Sequence, residues 1–398
     1  MNRIMFRNRI FFIFFPLFFL LISTYSFAET KTFIKEYTYR ASDEDSKNSS
    51  RTVSLREVKR LLLEELGTYL ESVAEVKNFR MTKDQIATLT AGIVSTEVMN
   101  ETWDGKTYWL KAKITADPAS VIQSIDKLRQ DRQKTKELED IHKRAEALLK
   151  ENERLKEELK MAKGVMKEKK QEEYAKGIKE LSAIEWFEKG YSFGVFGNDK
   201  EAIEAFHKAI ELNPQYALAY GNRGVAYSKL GNNQQAIKDF DKAIALNPQS
   251  AEAYISRGKV YYDLGNFRQA IKDFDRAIEL NPEYADAYNS RGTTYDELGN
   301  HQQAIKDLNR AIELNPEYAT AYYNRGSTYG RMGNYQQSIR DLDKAIELNP
   351  KGAESYRNRG STYGRLGNYQ QAIRDYKVAA RLGHKEAQAF LRKEGVEW

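Results

Sequence analysis

From Ala183 onward the sequence repeats every 34 residues without insertion or deletion, with units opening at Ala183, Ala217, Ala251, Ala285, Ala319 and Ala353. A fixed period of this length means one supersecondary unit stacked many times, because a single unit cannot bury its apolar face alone. Position 8 of the unit is always glycine (Gly190, Gly224, Gly258, Gly292, Gly326, Gly360), and position 11 is Phe193 and then tyrosine from Tyr227 to Tyr363. Position 20 is small (Ala202, Ala236, Ala270, Ala304, Ser338, Ala372). Position 24 is large (Phe206, Phe240, Phe274, Leu308, Leu342, Tyr376), and position 27 is alanine throughout. A glycine inside a helix costs about 1 kcal/mol against alanine, so its recurrence at position 8 predicts two helices in close approach, with the small residue of position 20 facing it. Gly197, Gly231, Gly265, Gly299, Gly333 and Gly367 predict left-handed ends to the first helix of each unit. The Asn-Pro pairs from Asn213-Pro214 to Asn349-Pro350 stop the second. The last unit carries Gly383-His384 instead, followed by an amphipathic segment over His384–Lys393 that predicts a polar cap for the final apolar face.

With these positions in place, the segment resembles the tetratricopeptide repeat (TPR) family over residues 183–386. That likeness implies an α-solenoid of six helix-turn-helix repeats, closed by a capping helix over 387–398. It also implies a concave groove lined by the first helix of each unit at positions 2, 5, 9, 12 and 13. Those positions vary here. The groove candidates are Lys229, Glu252, Lys259, Asp263, Asp286, Asn289, Asp296, Glu297, Tyr323, Arg331, Arg357 and Arg365, acidic in the middle and basic toward the C-terminal end. The reading that follows is an extended protein or peptide segment lying in the groove with its charges in the opposite order. The competing reading is that the charges pair across adjacent repeats, Glu297 with Arg331 for example. The arginines of position 7 (Arg223 to Arg359) match aspartates at position 23 (Asp239 to Asp375), which points to structural ion pairs between the two helices. Some TPR domains clamp a terminal carboxylate with Lys and Asn. Asn222, Asn324 and Asn358 stand at position 6 without the accompanying lysines.

A 398-residue chain is too long for one compact core. Residues 29–118 read as a small α/β domain. "KTFIKEYTYRAS" (31–42) reads as a strand. A helix over 54–73, with Ser54 as its cap, puts Leu55, Val58, Leu62, Leu66, Tyr69 and Val73 on one face. A hairpin over 93–115 turns at Asp104-Gly105, a pair suited to a type I′ turn, with Tyr108, Leu110, Ala112 and Ile114 alternating inward. Asp43, Glu44 and Asp45 read as a solvated loop. Residues 119–180 read as a long coiled-coil helix with its seam at Leu138, Ile141, Ala145, Leu148, Asn152, Leu155, Leu159, Ala162 and Met166. An Asn at an a position pairs best with its own copy, so the expectation is a parallel homo-oligomer through 138–166. A lone charged helix with i,i+4 pairs is the alternative.

The N-terminus, "MNRIMFRNRIFFIFFPLFFLLISTYSFAET", has Arg3, Arg7 and Arg9, an apolar run over Ile10–Ile22, and Ser26-Phe27-Ala28 as a small-x-small site. That is the layout of a secretory signal peptide over 1–28, cleaved after Ala28. The run is short of the roughly 20 residues a span needs, so no membrane span is expected after cleavage. The absence of cysteine removes disulfides and a lipoprotein acyl acceptor, and disfavours a zinc site. The expected location is the periplasm or cell envelope of a Gram-negative bacterium. The net charge of +6, spread over 63 basic and 57 acidic residues, gives no argument for nucleic acid. The four histidines are far apart, "NETWDGKT" (100–107) lacks the first glycine of a phosphate loop, and no cofactor is implied. The expected function is a non-enzymatic envelope scaffold binding protein partners. The alternative is an α/β domain that binds a small molecule, glycan or outer-membrane component, with the repeat array as a relay.

Overall fold

The computed structural model describes residues 30–72, 90–91, 93–130 and 132–398. The leader read over 1–28, and Val73 of the predicted helical face, lie outside them. The chain is mainly α, a solenoid preceded by a small α/β unit.

Strands β1 (Lys31–Arg40), β2 (Thr96–Trp103) and β3 (Thr107–Ala116) form an antiparallel sheet in the order β1-β3-β2. Tyr108, Leu110, Ala112 and Ile114 alternate along β3 on one face and are fully buried. They pack on Leu55, Val58, Leu62 and Leu66 of α1 (Lys47–Ser72). Helix α1 starts seven residues before the expected Ser54. Ser46 and Ser49 exchange backbone-to-hydroxyl bonds of 2.9 and 3.1 Å at its start, so Ser46 is the cap and Ser54 is a buried interior residue. The hairpin turn is likewise not type I′, which needs positive φ at two consecutive residues. Only Gly105 has it, at 96°, and Asp104 Oδ1 instead accepts from the backbone N–H groups of Lys106 and Thr107 at 2.8 and 2.6 Å.

The expected single helix over 119–180 is three: α2 (Pro118–Gln130), α3 (Arg132–Met161) and α4 (Val165–Val195). The chain reverses at Gly164, whose φ of 57° suits only glycine well, and α4 runs back antiparallel along α3. The apolar seam is therefore covered within the chain. Leu155 and Leu159 pack on Tyr174 and Ile178, while Leu138, Ile141 and Ala145 join the core that contains Leu181 and Ile184. Asn152 is 3% exposed and lies over Gly177. Met166, the last expected seam residue, is 58% exposed.

Helix α4 continues without a break into the first repeat, so it is both the return arm of this hairpin and the first A helix. The remaining solenoid alternates B and A helices: α5 (Asp199–Leu212), α6 (Ala217–Lys229), α7 (Asn233–Leu246), α8 (Ala251–Asp263), α9 (Phe267–Leu280), α10 (Ala285–Glu297), α11 (His301–Leu314), α12 (Ala319–Arg331), α13 (Tyr335–Leu348), α14 (Ala353–Arg365) and α15 (Tyr369–Arg381). A last helix, α16 (Lys385–Lys393), closes the array by burying Ala387 and Leu391 against Ala379 and Ala380. It begins and ends before the 387–398 assigned from sequence. The position-8 glycines admit the position-24 ring in repeats one to three, and in repeats four to six they also face the backbone of position 20. A β-carbon on Gly258 would lie 2.7 Å from the Phe274 ring. Where position 24 is leucine, as at Leu308, the approach relaxes to 3.0 Å and the carbonyl of Ala304 becomes a neighbour at 3.2 Å.

Each position-7 arginine lies across a repeat junction. Arg291 grips Asp307 of its own repeat with two bonds of 2.7 and 2.9 Å and Asp275 of the preceding repeat at 2.7 Å. Arg257 and Arg359 do the same with Asp273 and Asp241, and with Asp375 and Asp343. Burial draws the Arg291 guanidinium down, but its bonds to both carboxylates hold it above the ordinary arginine value. Bidentate carboxylate pairing of this kind gives register as well as energy. The ladder is structural.

The sheet unit closes the other end of the array. Glu188 of α4 is buried and accepts from Arg56 at 3.0 and 3.2 Å and from Lys59. Ser192 Oγ donates to the Ile93 carbonyl at 2.8 Å, and Phe187 and Phe206 belong to the same core as the sheet. Asp45, expected in a solvated loop, has a fully buried side chain. It joins the loop after β1 to the helical hairpin, pairing with Lys156 at 2.7 Å and accepting from Tyr174 at 2.5 Å and Tyr39 at 3.2 Å. Glu44 pairs with Lys167 at 2.6 Å. Asp43 alone of the three is exposed.

Candidate partner-binding groove

Successive A helices (the repeat-one end of α4, then α6, α8, α10, α12 and α14) pack on one another more closely than successive B helices do. The array therefore curves with the A helices inside, and their side chains at positions 2, 5, 9 and 13 form the concave wall. Positions 8, 20 and 27 are buried in every repeat, while the aromatics of position 11 are half-buried. What remains at the wall is the variable set.

Most of that set is engaged between neighbouring repeats. Lys229 reaches Asp199 at 3.2 Å. Lys259 reaches Asp286 at 2.7 Å. Asp286 also accepts from the Tyr318 hydroxyl at 2.9 Å; burial and that carboxylate push the phenol up, so it stays a donor. Arg331 spans two carboxylates of the preceding repeat, Asp296 at 3.0 Å and Glu297 at 2.9 Å. His301 approaches the other oxygen of Asp296 at 2.7 Å. Arg357 meets Glu386 of the capping helix at 2.8 Å, and His384 meets Glu354 at 3.0 Å. Neutral links run beside these: Asn324 donates to Asn289 at 2.8 Å and Thr293 at 3.1 Å, and Asn358 to Ser327 at 2.9 Å.

The arrangement corrects the simple picture of an acidic middle and a basic end. Arg331 is committed to Asp296 and Glu297, and Arg357 to the cap, so of the three C-terminal arginines only Arg365 has no ion-pair partner among the described residues. Asp263 likewise has none. Glu252 accepts from Ser250 at 3.1 Å, and Asn289 is buried. Tyr323 is half-buried; burial and the nearby Glu354 raise its phenol. The position-6 asparagines, considered as clamp residues, have other partners: Asn222 bonds the Leu218 carbonyl at 3.0 Å, and Asn324 and Asn358 are the inter-repeat links already described. Thr293 stands at position 9, one of the varying positions that the sequence assigns to the groove; Ser327, at the same position, and Tyr262 are not among the sequence candidates. The 31-residue spacing of Thr293 and Asn324, repeated by Ser327 and Asn358, is the signal that points to Ser327. Tyr262 stands beside Asp263 at position 12, and burial and the charge of Glu297 raise its phenol.

Among the described residues, no group of three or more His, Asp or Glu side chains is placed to hold a metal ion. Among them too, no helix is long and apolar enough to cross a membrane.

Family models described as tetratricopeptide repeat match residues 217–250, 255–319, 289–329 and 317–382, and one described as TPR repeat matches 197–231. No curated protein is significantly similar to the chain. Among solved structures, MamA is 30% identical over 42% of this chain and 96% of its own, with a TM-score of 0.37. YrrB, described as a TPR protein with an unusual peptide-binding site, is 28% identical over 48% of this chain and 99% of its own, at 0.38. The pilF protein of Pseudomonas aeruginosa is 18% identical over 54% and 99%, at 0.48.

Proposed function

The chain belongs to the tetratricopeptide repeat family, and from that premise we propose that it is a non-enzymatic scaffold or adaptor that holds a protein or peptide partner in the concave groove. One observation supports this reading above the others. Side chains that hold neighbouring A helices in register, such as Asn324 on Asn289, leave a preformed wall whose remaining members, including Val225, Thr320 and Asp263, are exposed. A preorganised wall lowers the entropic cost of capturing an extended segment.

The proposal includes export to the periplasm or cell envelope of a Gram-negative bacterium, supported by the three-part layout of residues 1–28. It does not include oligomerisation through 138–166, because the seam that suggested it is covered by α4. The sheet unit is assigned the role of N-terminal cap, which its contacts through Glu188, Ser192 and Phe187 support. The test is affinity capture from envelope fractions with the full chain and with a Val225→Trp variant, which fills the groove at an exposed position. Partners recovered by the first and lost by the second support the proposal. An identical set recovered by both contradicts it.

A further inference from the structure

The reading of the groove as a capture surface leaves its partner's chemistry open, and the inference here rests on that reading. Across repeats three to five the wall carries five carboxylates (Glu252, Asp263, Asp286, Asp296 and Glu297) against two cations, Lys259 and Arg331. Five carboxylates against two lysine or arginine cations leave an excess of three acidic groups on this part of the wall. They are unevenly placed. Both oxygens of Asp296 are engaged, by Arg331 and His301, and Asp286 is shared by Lys259 and Tyr318. Asp263 is exposed and unpaired among the described residues, and Glu297 is bonded through Oε1 only.

Tyr262 joins these groups. Its ring packs at a tilt against Phe267, with centroids 5.5 Å apart and planes at 54°. Asp263 and Glu297 hold the same place, position 13, in adjacent A helices that pack on one another, and Tyr262 directly precedes Asp263; burial and the nearby Glu297 raise its phenol. A half-buried aromatic face beside two incompletely satisfied carboxylates matches the needs of a long cationic side chain: an apolar surface for the methylene stem, a ring quadrupole and two acceptors for the charge. We propose that the groove selects an extended protein segment carrying a lysine or arginine, whose cationic head seats against Tyr262 between Asp263 and Glu297. Acidic segments and nucleic-acid phosphates are repelled there by the residual negative charge. This keeps the basic half of the partner expected from sequence, which meets the acidic middle of the groove, and drops the acidic half at Arg331 and Arg357, which are already paired within the chain.

The test is selection of a displayed random dodecamer library on the immobilised full chain. The best binder is then measured by fluorescence anisotropy against four proteins: wild type, the Val225→Trp variant, an Asp263→Asn/Glu297→Gln double variant, and a Glu279→Gln/Glu283→Gln double variant with the same charge change outside the groove. Both groove side chains are exposed helix-end residues that fill no core space, and thermal unfolding checks that each variant is folded. The expected result is enrichment of Lys and Arg among binders, with affinity about tenfold weaker on the groove variant and unchanged on the outer one. Acidic or neutral binders, blocked by Val225→Trp but indifferent to Asp263 and Glu297, would overturn the cation site and leave the groove reading standing. Binders that ignore all groove changes, or no binders at all, would overturn both.

Discussion

Asn152 occupies the volume that Gly177 leaves by having no β-carbon: a side chain built on Gly177 would collide with its Oδ1. A polar residue in an apolar seam looks like the register pin of two copies, yet here it pins α3 to α4 within one chain. Gly177→Ala should therefore destabilise the helical hairpin by about 1–3 kcal/mol despite alanine's better helix propensity. Adding Asn152→Ala should recover part of that loss, and a double-mutant cycle from chemical denaturation reads the coupling directly. Additive effects would mean that the two positions do not touch.

Glycine plays opposite roles at Gly258 and Gly364, although both lie inside A helices. A β-carbon on Gly258 meets the Phe274 ring at 2.7 Å, while one on Gly364 meets nothing nearer than 4.0 Å. Gly258→Ala should lower stability by about 1–3 kcal/mol through overpacking. Gly364→Ala should raise it by about 0.5–1 kcal/mol through helix propensity alone. Thermal denaturation of the two variants must move in opposite directions.

The ladder arginine Arg325 has a weaker third partner than its neighbours. It meets Asn309 at 2.8 Å, where Arg257, Arg291 and Arg359 meet Asp241, Asp275 and Asp343. Asn309→Asp should complete the charge pattern and stabilise the junction between repeats four and five by about 0.5–1 kcal/mol at neutral pH. The measurement is the denaturation midpoint, with the gain shrinking in high salt.

Much of this was legible in the sequence because a 34-residue period repeats the evidence. Gly190 alone would be ambiguous, but glycine at the same place in every unit, with a large residue sixteen positions later, requires two helices in close approach. The single-copy parts offered no such redundancy. The α3–α4 reversal turns on one residue, Gly164, and an apolar seam has the same 3,4 spacing whether a partner copy or the chain itself covers it. Ser54 reads as a cap because it precedes an apolar run, while the cap at Ser46 precedes a polar turn. Asp45 looked solvated because its partners, Lys156 and Tyr174, lie more than a hundred residues away. In the groove, the pairing of Glu297 with Arg331 was readable from their 34-residue spacing, but the pairs Lys259–Asp286, Lys229–Asp199 and Arg357–Glu386, at other spacings, required the pitch of the array.

The junction between the sheet unit and the first repeat carries a pH signature. Burial alone would raise the carboxyl of Glu188, but Arg56 and Lys59 override it and hold the value at about 2, against an ordinary 4.5. A depressed folded-state value contributes stability that is present above pH 4.5 and is lost as pH falls toward 2. The shift corresponds to about 3 kcal/mol. Glu188→Gln should accordingly be less stable than wild type at pH 7, with the gap closing between pH 4.5 and 2. Hydrogen exchange of the α4 amides across that range measures it, and a gap independent of pH would refute the assignment.

The central claim is that partners are held on the concave face, by the wall of A-helix side chains. The most direct measurement is in-cell photo-crosslinking, with a photoreactive residue placed singly at Val225, Lys259 or Thr320 on the wall, and at Lys242, Glu279 or Arg340 on the B helices. The account predicts discrete crosslinked products from the wall positions and none from the B-helix positions. Crosslinks confined to the B helices, or equal on both faces, would contradict it.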